Sequence, residues 1–164
     1  TDILASCRES NAKLVAVSKT KPVEQIQALY DKGQRIFGEN KVQELVEKQA
    51  LLPKDINWHL IGHLQSNKVK YIASFVDLIH AVDSIKLLKE INKQAKKYDR
   101  TIDVLLQIKI AEEESKFGID PKELNILLWN LVNKGKLPKH LAVTDPDTPI
   151  GRFKFDNKAG FLQR

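Results

Sequence analysis

Two lysines close the first apolar run of the chain, and a lysine amine is a side chain that condenses with aldehydes. The run LVAVSKTKP covers residues 14–22 and places Lys19 and Lys21 just before Pro22. Because alternate strand residues point the same way, both amines are expected on one side of a strand that the proline ends. A nearby second cation and partial removal from water would favour the neutral, nucleophilic amine. The alternative, that both lysines end the strand in solvent, stays open.

Further polar side chains follow the other predicted strands. Asn40 follows the second strand, His63 and Lys68 follow the third, and Lys116 follows the fifth. Asn40 could equally cap the next helix, and His63 could simply close a turn. His59, inside the third strand, is interpreted as a core histidine rather than a ligand. No spacing of histidine, cysteine and carboxylate residues indicates a zinc or iron site.

Apolar runs of strand length alternate with segments of helical spacing. The predicted strands are residues 13–19, 35–38, 57–62, 76–82 and 102–110. The predicted helices are residues 23–32, a segment through Val42 and Val46, and residues 66–75, 84–98 and 121–133. Such strand–helix units build a parallel sheet covered by helices, which is an α/β fold. An open doubly wound sheet and a closed (β/α) barrel both fit, and both bind ligands at the carboxyl ends of their strands.

Two helix ends are marked by their capping residues. Gly33 follows the first predicted helix and is expected to end it, since glycine accepts the left-handed conformation found there. Asp120 and Pro121 stand at the start of the fifth, where an aspartate cap followed by proline is favoured.

The composition is that of one globular domain. The chain has 164 residues, 42% hydrophobic and 29% charged, with one cysteine, Cys7. No apolar run approaches the roughly 20 residues of a membrane helix, and the N-terminal residues lack a signal-peptide pattern, so a cytoplasmic location is predicted. The net charge of +6 could indicate a nucleic-acid partner. Because acids interleave with the basic residues, as in residues 44–48 and 86–90, a solvated surface is favoured instead.

Four segments, in one order and at one spacing, carry a resemblance to a known family. They are VAVSKTKP, GQRIFGENKVQE, WHLIGHLQSNK and LLQIKIAEEESKFGI. Together, over residues 13–130, they resemble the pyridoxal phosphate homeostasis proteins. The resemblance implies a TIM-type (β/α) barrel similar to the N-terminal barrel of alanine racemase, with pyridoxal 5′-phosphate (PLP) as the cofactor.

The resemblance also implies roles for individual residues. By position, Lys19 is the lysine that holds PLP as a Schiff base, and Lys21 is a second lysine that tunes the site. Asn40 matches a residue near the cofactor, while Lys68 and Lys116 match lysines at the mouth of the site that hand over or receive PLP. The candidate cofactor-binding residues are Lys19, Lys21, Asn40, His63, Lys68 and Lys116.

The family is known for no reaction of its own. The resemblance therefore implies a non-catalytic PLP-binding protein that buffers or delivers PLP, with roles in vitamin B6 and amino-acid homeostasis. PLP-dependent apo-enzymes are the expected recipients, and neither nucleic acid nor membrane is an expected partner. A racemase would need an acid–base residue opposite the lysine, usually a tyrosine from another domain, and Tyr30, Tyr71 and Tyr98 all lie in predicted helices. A PLP-dependent enzyme of the alanine racemase-like class and a module that binds RNA or another polyanion remain alternatives.

The last part of the chain departs from the family pattern. The family continues with further strand–helix units and with serine- and glycine-rich loops that grip the phosphate, whereas no serine follows Ser115 here. Residues 1–136 are predicted to form a PLP-binding partial barrel and residues 137–164 a divergent C-terminal segment. Closing a barrel takes eight strands and roughly 250 residues, so only about five to six of its strand–helix units are expected. A complete barrel would be expected to be a monomer.

Overall fold

The computed structural model describes Cys7 and residues 9–10, 12–109 and 118–133. The strands are β1 (Ala16–Val17), β2 (Ile36–Glu39), β3 (Asn57–Leu60), β4 (Leu78–Val82) and β5 (Asp103–Leu106). The helices are α1 (Val23–Asp31), α2 (Val42–Leu51), α3 (Val69–Ile72), α4 (Ile85–Lys97) and α5 (Pro121–Asn133). Lys116 and the predicted C-terminal segment, residues 137–164, lie outside the described residues.

The strands form one parallel sheet in the order β1-β2-β3-β4-β5. Parallel crossovers are right-handed in nearly all proteins, so an order that never reverses places the connecting helices on one face of the sheet. A doubly wound sheet reverses its order and carries helices on both faces. The described strands therefore have the winding of a (β/α) barrel, and the predicted parallel α/β fold is confirmed.

The hydrophobic core lies between the sheet and its helices. Leu60, Ile79 and Val104 are neighbours across β3, β4 and β5, and all three are buried. Phe37 pairs with Trp58 in the next row, with ring centroids 6.0 Å apart. Buried side chains of the first four helices complete this core, namely Ile26, Leu45, Val69, Ile72, Leu87, Leu88, Ile91 and Ala95.

A second row of side chains lies on the opposite, inner face of the sheet. Across the five strands it consists of Val17, Gly38, His59, Leu78 and Asp103. The alternation between the two faces holds along most of the sheet. It breaks once, in β4, where the register with β5 shifts between Ile79 and Val82.

The third predicted helix, residues 66–75, is wrong in length and partly in type. A 3-10 turn over Ser66–Lys68 leads into the single turn of α3. Beyond it, the Arg100 guanidinium donates to the carbonyls of Ala73 and Val76, at 2.8 and 3.0 Å. These bonds provide partners for carbonyls beyond the end of α3, as the end of a helix requires. Among the helices of the described part, none combines the length and apolar composition that crossing a bilayer requires.

The predicted capping residues are confirmed at both helix ends. The Asp120 carboxylate accepts from the Lys122 amide at 2.7 Å, at the start of α5. At the end of α1, Gly33 has φ +97°, and its amide donates to the Tyr30 carbonyl at 2.9 Å. The Gln34 amide donates to the Leu29 carbonyl at 3.1 Å, which completes a Schellman motif.

His59 and His80 form a pair on the inner side of β3 and β4. His59 Nδ1 lies 3.0 Å from His80 Nε2, and His59 Nε2 lies 3.6 Å from an Asp77 carboxylate oxygen. Burial lowers the pKa of both histidines below 6.5; the neighbouring His80 lowers the pKa of His59 further, whereas Asp77 opposes the shift. His59 is thus a buried histidine with partners, as predicted.

Replacing Gly33 tests the backbone conformation at the end of α1. A Cβ at this position would meet no atom within 4 Å, so steric clash plays no part. We expect Gly33→Ala to lower the free energy of unfolding by about 1–2 kcal/mol, because an L-residue resists the left-handed region. Gly33→Asn should cost clearly less, because asparagine tolerates that region. Equal losses in urea unfolding monitored by circular dichroism would contradict this account.

The histidine pair predicts a loss of stability on acidification. In the unfolded chain the histidines take up protons near pH 6.5, whereas in the folded chain they resist protonation. Their contribution to stability is therefore complete above pH 6.5 and is lost as the pH falls below it. His80→Gln should flatten the fall in the free energy of unfolding between about pH 7 and pH 5.5. Urea unfolding at several pH values checks this, and an unchanged slope would argue against it.

Candidate functional site

The candidate residues cluster at one edge of the sheet. Parallel strands bring their carboxyl ends to the same edge, so the segments that follow β1, β2 and β3 are neighbours there. Lys19 and Lys21 follow β1, Asn40 follows β2, and the segment from His63 to Lys68 follows β3.

Lys19 lies in a tight turn that begins where β1 ends. The Lys21 amide donates to the Ser18 carbonyl at 3.0 Å, and the Ser18 amide donates to the Gly38 carbonyl of β2 at 2.9 Å. Thr20, in the middle of the turn, has φ +63°. Both lysine side chains are exposed, so the partial removal from water that the sequence interpretation invoked is not present among the described residues.

Asn40 does not cap the following helix. The cap of α2 is Lys41, which makes no side-chain capping bond. A Cβ on Gly62 would lie 2.3 Å from the Asn40 carbonyl oxygen and 2.3 Å from its side-chain oxygen. Gly62 therefore permits Asn40 to lie directly against the segment after β3. Sequence reasoning missed Gly62, although a glycine inside a predicted strand, here residues 57–62, is a known sign of close backbone approach.

An open pocket of about 410 Å³ brings three of the candidate residues together. Asn40, His63 and Lys68 all line it, whereas Lys19 and Lys21 are not among its lining residues. The other lining residues are Lys41, Val42, Gln43, Val46, Gln65 and Tyr71. Two lysines, Lys41 and Lys68, make the pocket wall basic, which suits an anionic ligand.

His63 is oriented by a carboxylate from the neighbouring strand. Its Nδ1 lies 3.1 Å from an Asp83 side-chain oxygen, and the Asp83 side chain is only 11% exposed. This contact joins the ends of β3 and β4. Lys68 extends over the Tyr71 ring, with its Nζ 5.6 Å from the ring centroid.

A buried polar network lies behind the Lys19 turn. Lys48 Nζ of α2 donates to the Ser18 carbonyl at 2.7 Å and to one oxygen each of Glu39 and Glu44, at 2.8 and 2.7 Å. Ser18 Oγ donates to the same Glu39 oxygen at 2.6 Å. The Thr20 amide donates to Glu44 at 2.6 Å.

The environment of these charges corrects the sequence interpretation of residues 44–48 as a solvated surface. The Lys48 side chain is 7% exposed, and that of Glu44 is 23% exposed. Lys48 faces the sheet, where its amine donates to both Ser18 and Glu39. The hydrogen bond from Lys48 is the main cause that holds the pKa of Glu44 below its usual value, and the Thr20 amide adds to the effect.

Metal chemistry has no support in this part of the protein. Within the described ranges, no group of three or more histidine, cysteine or carboxylate side chains could hold a metal ion. The available chemistry is that of amines, an imidazole and an amide, which suits a polar organic ligand.

Comparison with known proteins places the chain in a family. A family model described as the alanine racemase N-terminal domain matches residues 2–146. The pyridoxal phosphate homeostasis protein of Pasteurella multocida is 50% identical over 128 residues, covering 76% of this chain and 55% of that protein. The protein of the same name from Vibrio cholerae is 36% identical over 168 residues, covering 94% of this chain and 70% of that one.

A solved structure shows the same similarity. PipY of Synechococcus elongatus, solved with PLP bound, aligns with a TM-score of 0.68 and 41% identity, covering 78% of this chain and 61% of that one. The present chain spans about half the length of the P. multocida relative, 55%. On these matches, the chain belongs to the alanine racemase N-terminal domain family and, within it, to the pyridoxal phosphate homeostasis proteins.

Proposed function

We propose that this chain is a PLP-binding protein that anchors the cofactor on Lys19 and buffers or delivers it, and so acts in vitamin B6 and amino-acid homeostasis. The observation that carries the proposal is the Lys19 turn. The Lys19 side chain is exposed there, and hydrogen bonds hold the backbone of the turn. The turn lies at the carboxyl edge of a parallel sheet. A homologue, PipY, has been solved with PLP bound.

The residues present fit the cofactor. When bound, PLP supplies an aldehyde, with which a lysine amine condenses to a C=N bond while the carbonyl oxygen leaves as water. The exposed amine of Lys19 would supply the nitrogen, and Asn40, His63 and Lys68, which line a pocket at the same edge of the sheet, would supply polar contacts to the rest of the cofactor. Lys21 adds a second positive charge two residues away, which favours an anionic cofactor.

Lys68 and Lys116 are proposed to pass PLP on rather than to hold it. Lys68 lines the pocket and is exposed, as a residue that receives an anion from solvent should be. Lys116 keeps this role from the family resemblance alone. PLP-dependent apo-enzymes in the cytoplasm are the proposed recipients.

The proposed role is non-catalytic, since a racemase needs an acid–base residue opposite its lysine. The Tyr30 hydroxyl donates to Asp55 at 2.7 Å. Tyr98 is the C-cap of α4, one residue beyond its end. Tyr71 lines the pocket, but Lys19 does not, so that pocket does not bring the two together.

Replacing Lys19 tests the anchor. At pH 7 only about one in 2,500 ordinary lysine side chains is neutral. Selective attachment of PLP to one lysine must therefore come from a fixed position of its amine close to residues that bind the cofactor. Lys19→Ala should reduce borohydride-fixed PLP at least about tenfold, whereas the matched Lys21→Ala should retain the label on Lys19. Visible absorbance and peptide mapping after reduction provide the measurement.

Other outcomes of the Lys19 experiment separate the alternative functions. Label spread evenly over surface lysines would contradict a specific site. Amino-acid racemisation that Lys19→Ala abolishes would indicate an enzyme. RNA binding without PLP uptake would indicate a polyanion module.

Two lysines beside Tyr71 offer a matched comparison for the pocket. Lys68 lies 5.6 Å and Lys70 5.0 Å from the ring centroid, but only Lys68 lines the pocket. Lys68→Ala should weaken PLP uptake about three- to tenfold, since a contact between opposite charges in water is worth on the order of 1 kcal/mol. Lys70→Ala should leave uptake unchanged. Equal effects in PLP titrations would mean that the pocket takes no part.

A further inference from the structure

We propose that Glu44, held in place by Lys48, is a positioning residue that keeps Thr20 in the left-handed conformation and thereby fixes how Lys19 presents its amine. This inference rests on the proposed function, because it concerns the same lysine. It assigns a role to two charged residues of α2 that lie outside the pocket.

Thr20 is in a conformation that its side chain disfavours. Its φ of +63° lies in the left-handed region, where β-branched residues are genuine outliers. Such a conformation persists only where the surroundings impose it. Two contacts do so here. The Thr20 amide donates to Glu44 at 2.6 Å, and the Thr20 hydroxyl donates to the Lys19 carbonyl at 2.6 Å.

Lys48 fixes the acceptor that Thr20 uses. Its amine donates to three oxygens, one each on Ser18, Glu39 and Glu44, and so uses all three of its hydrogens. The same Glu44 oxygen, Oε1, accepts hydrogen bonds from the Lys48 amine and from the Thr20 amide. The residue before Lys19 and the residue after it are therefore tied to the same ammonium group, directly at Ser18 and through Glu44 at Thr20.

Stability alone is a poor reason for this arrangement. The Glu39 side chain is fully buried, and within the described part of the protein one of its oxygens has no hydrogen-bond partner. Two carboxylates share one ammonium group, and buried ion pairs often stabilise a fold no better than apolar residues of the same volume. Such pairs are better explained where they select one geometry. The geometry selected here is that of the Lys19 turn.

The role of Glu44 is tested by removing its acceptor oxygen in two backgrounds, one with Thr20 and one with a glycine that adopts positive φ without strain. Glu44→Ala removes the acceptor while keeping a good helix former in α2. Glu44→Gln keeps an oxygen for the Thr20 amide and serves as the matched control. Thr20→Gly lets position 20 adopt positive φ without strain. All variants are first checked for folding by circular dichroism, and PLP fixed on Lys19 is then measured by borohydride reduction and peptide mapping.

A double-variant comparison gives the expected result. Glu44→Ala should reduce PLP fixed on Lys19 about tenfold at sub-saturating PLP, whereas Glu44→Gln should stay within about threefold of the unchanged chain. In the Thr20→Gly background, Glu44→Ala should cost less than about threefold, because glycine no longer needs the restraint. An equal loss in both backgrounds, or a loss of stability with undiminished labelling, would overturn the inference.

A second measurement is independent of the cofactor. Trypsin cleaves after lysine only where the backbone can open, so a released turn should be cut after Lys19 faster than a held one. Glu44→Ala should speed this cut relative to Glu44→Gln in the absence of PLP, where the Lys19 amine is free. If PLP does not attach to Lys19 in the unchanged chain, the proposed function fails. The cleavage comparison still tests whether Glu44 restrains the Lys19 turn. Equal cleavage rates would refute the restraint itself.

Discussion

The contact between Lys48 and Glu39 holds together the part of the protein on which the candidate site depends. Glu39 occupies the row of side chains that otherwise carries Leu60, Ile79 and Val104 against the helices. A carboxylate there is costly unless an opposite charge and hydrogen bonds compensate for it. Lys48 supplies the charge from α2, and Ser18 supplies a hydrogen bond from the end of β1. The end of β1, β2 and α2 thus meet at one carboxylate.

The parallel sheet explains why the other site residues lie on the same side of the molecule as this contact. Each strand delivers its following segment to the carboxyl edge, so Lys19, Asn40 and His63 reach one region although more than 40 positions separate the first from the last. The loops need only be short for this to happen. Fine adjustment comes from close approaches such as that of Asn40 to Gly62.

The parallel α/β fold and two helix caps could be predicted from the sequence, because they depend on local pattern. The role of Lys19 as the anchor depends on a family motif and stays a prediction. Gly33 and Asp120 act as their local chemistry requires. The third helix was wrong in that a 3-10 turn replaces its start and α3 ends at Ile72. The segment after α3 is held by Arg100, about 25 residues away, and no local pattern reveals that contact. Residues 44–48 were misread for a related reason, because an alternation of charges does not reveal that Lys48 points towards the buried Glu39 of the sheet. Asn40, His63 and Lys68 do share a pocket, but the roles proposed for them come from family resemblance.

The single shift of register in β4 decides which way Asp83 faces. Ile79 and Val82 are three residues apart, yet both are buried in the core against the helices, so the strand holds one residue more than regular alternation would allow. Had the alternation continued from Ile79, position 83 would belong to the helix side, and its carboxylate would displace an apolar side chain. The extra residue turns Asp83 away from the helices instead, and there it meets His63. One inserted position in a strand thereby turns a carboxylate away from the apolar core and towards an imidazole.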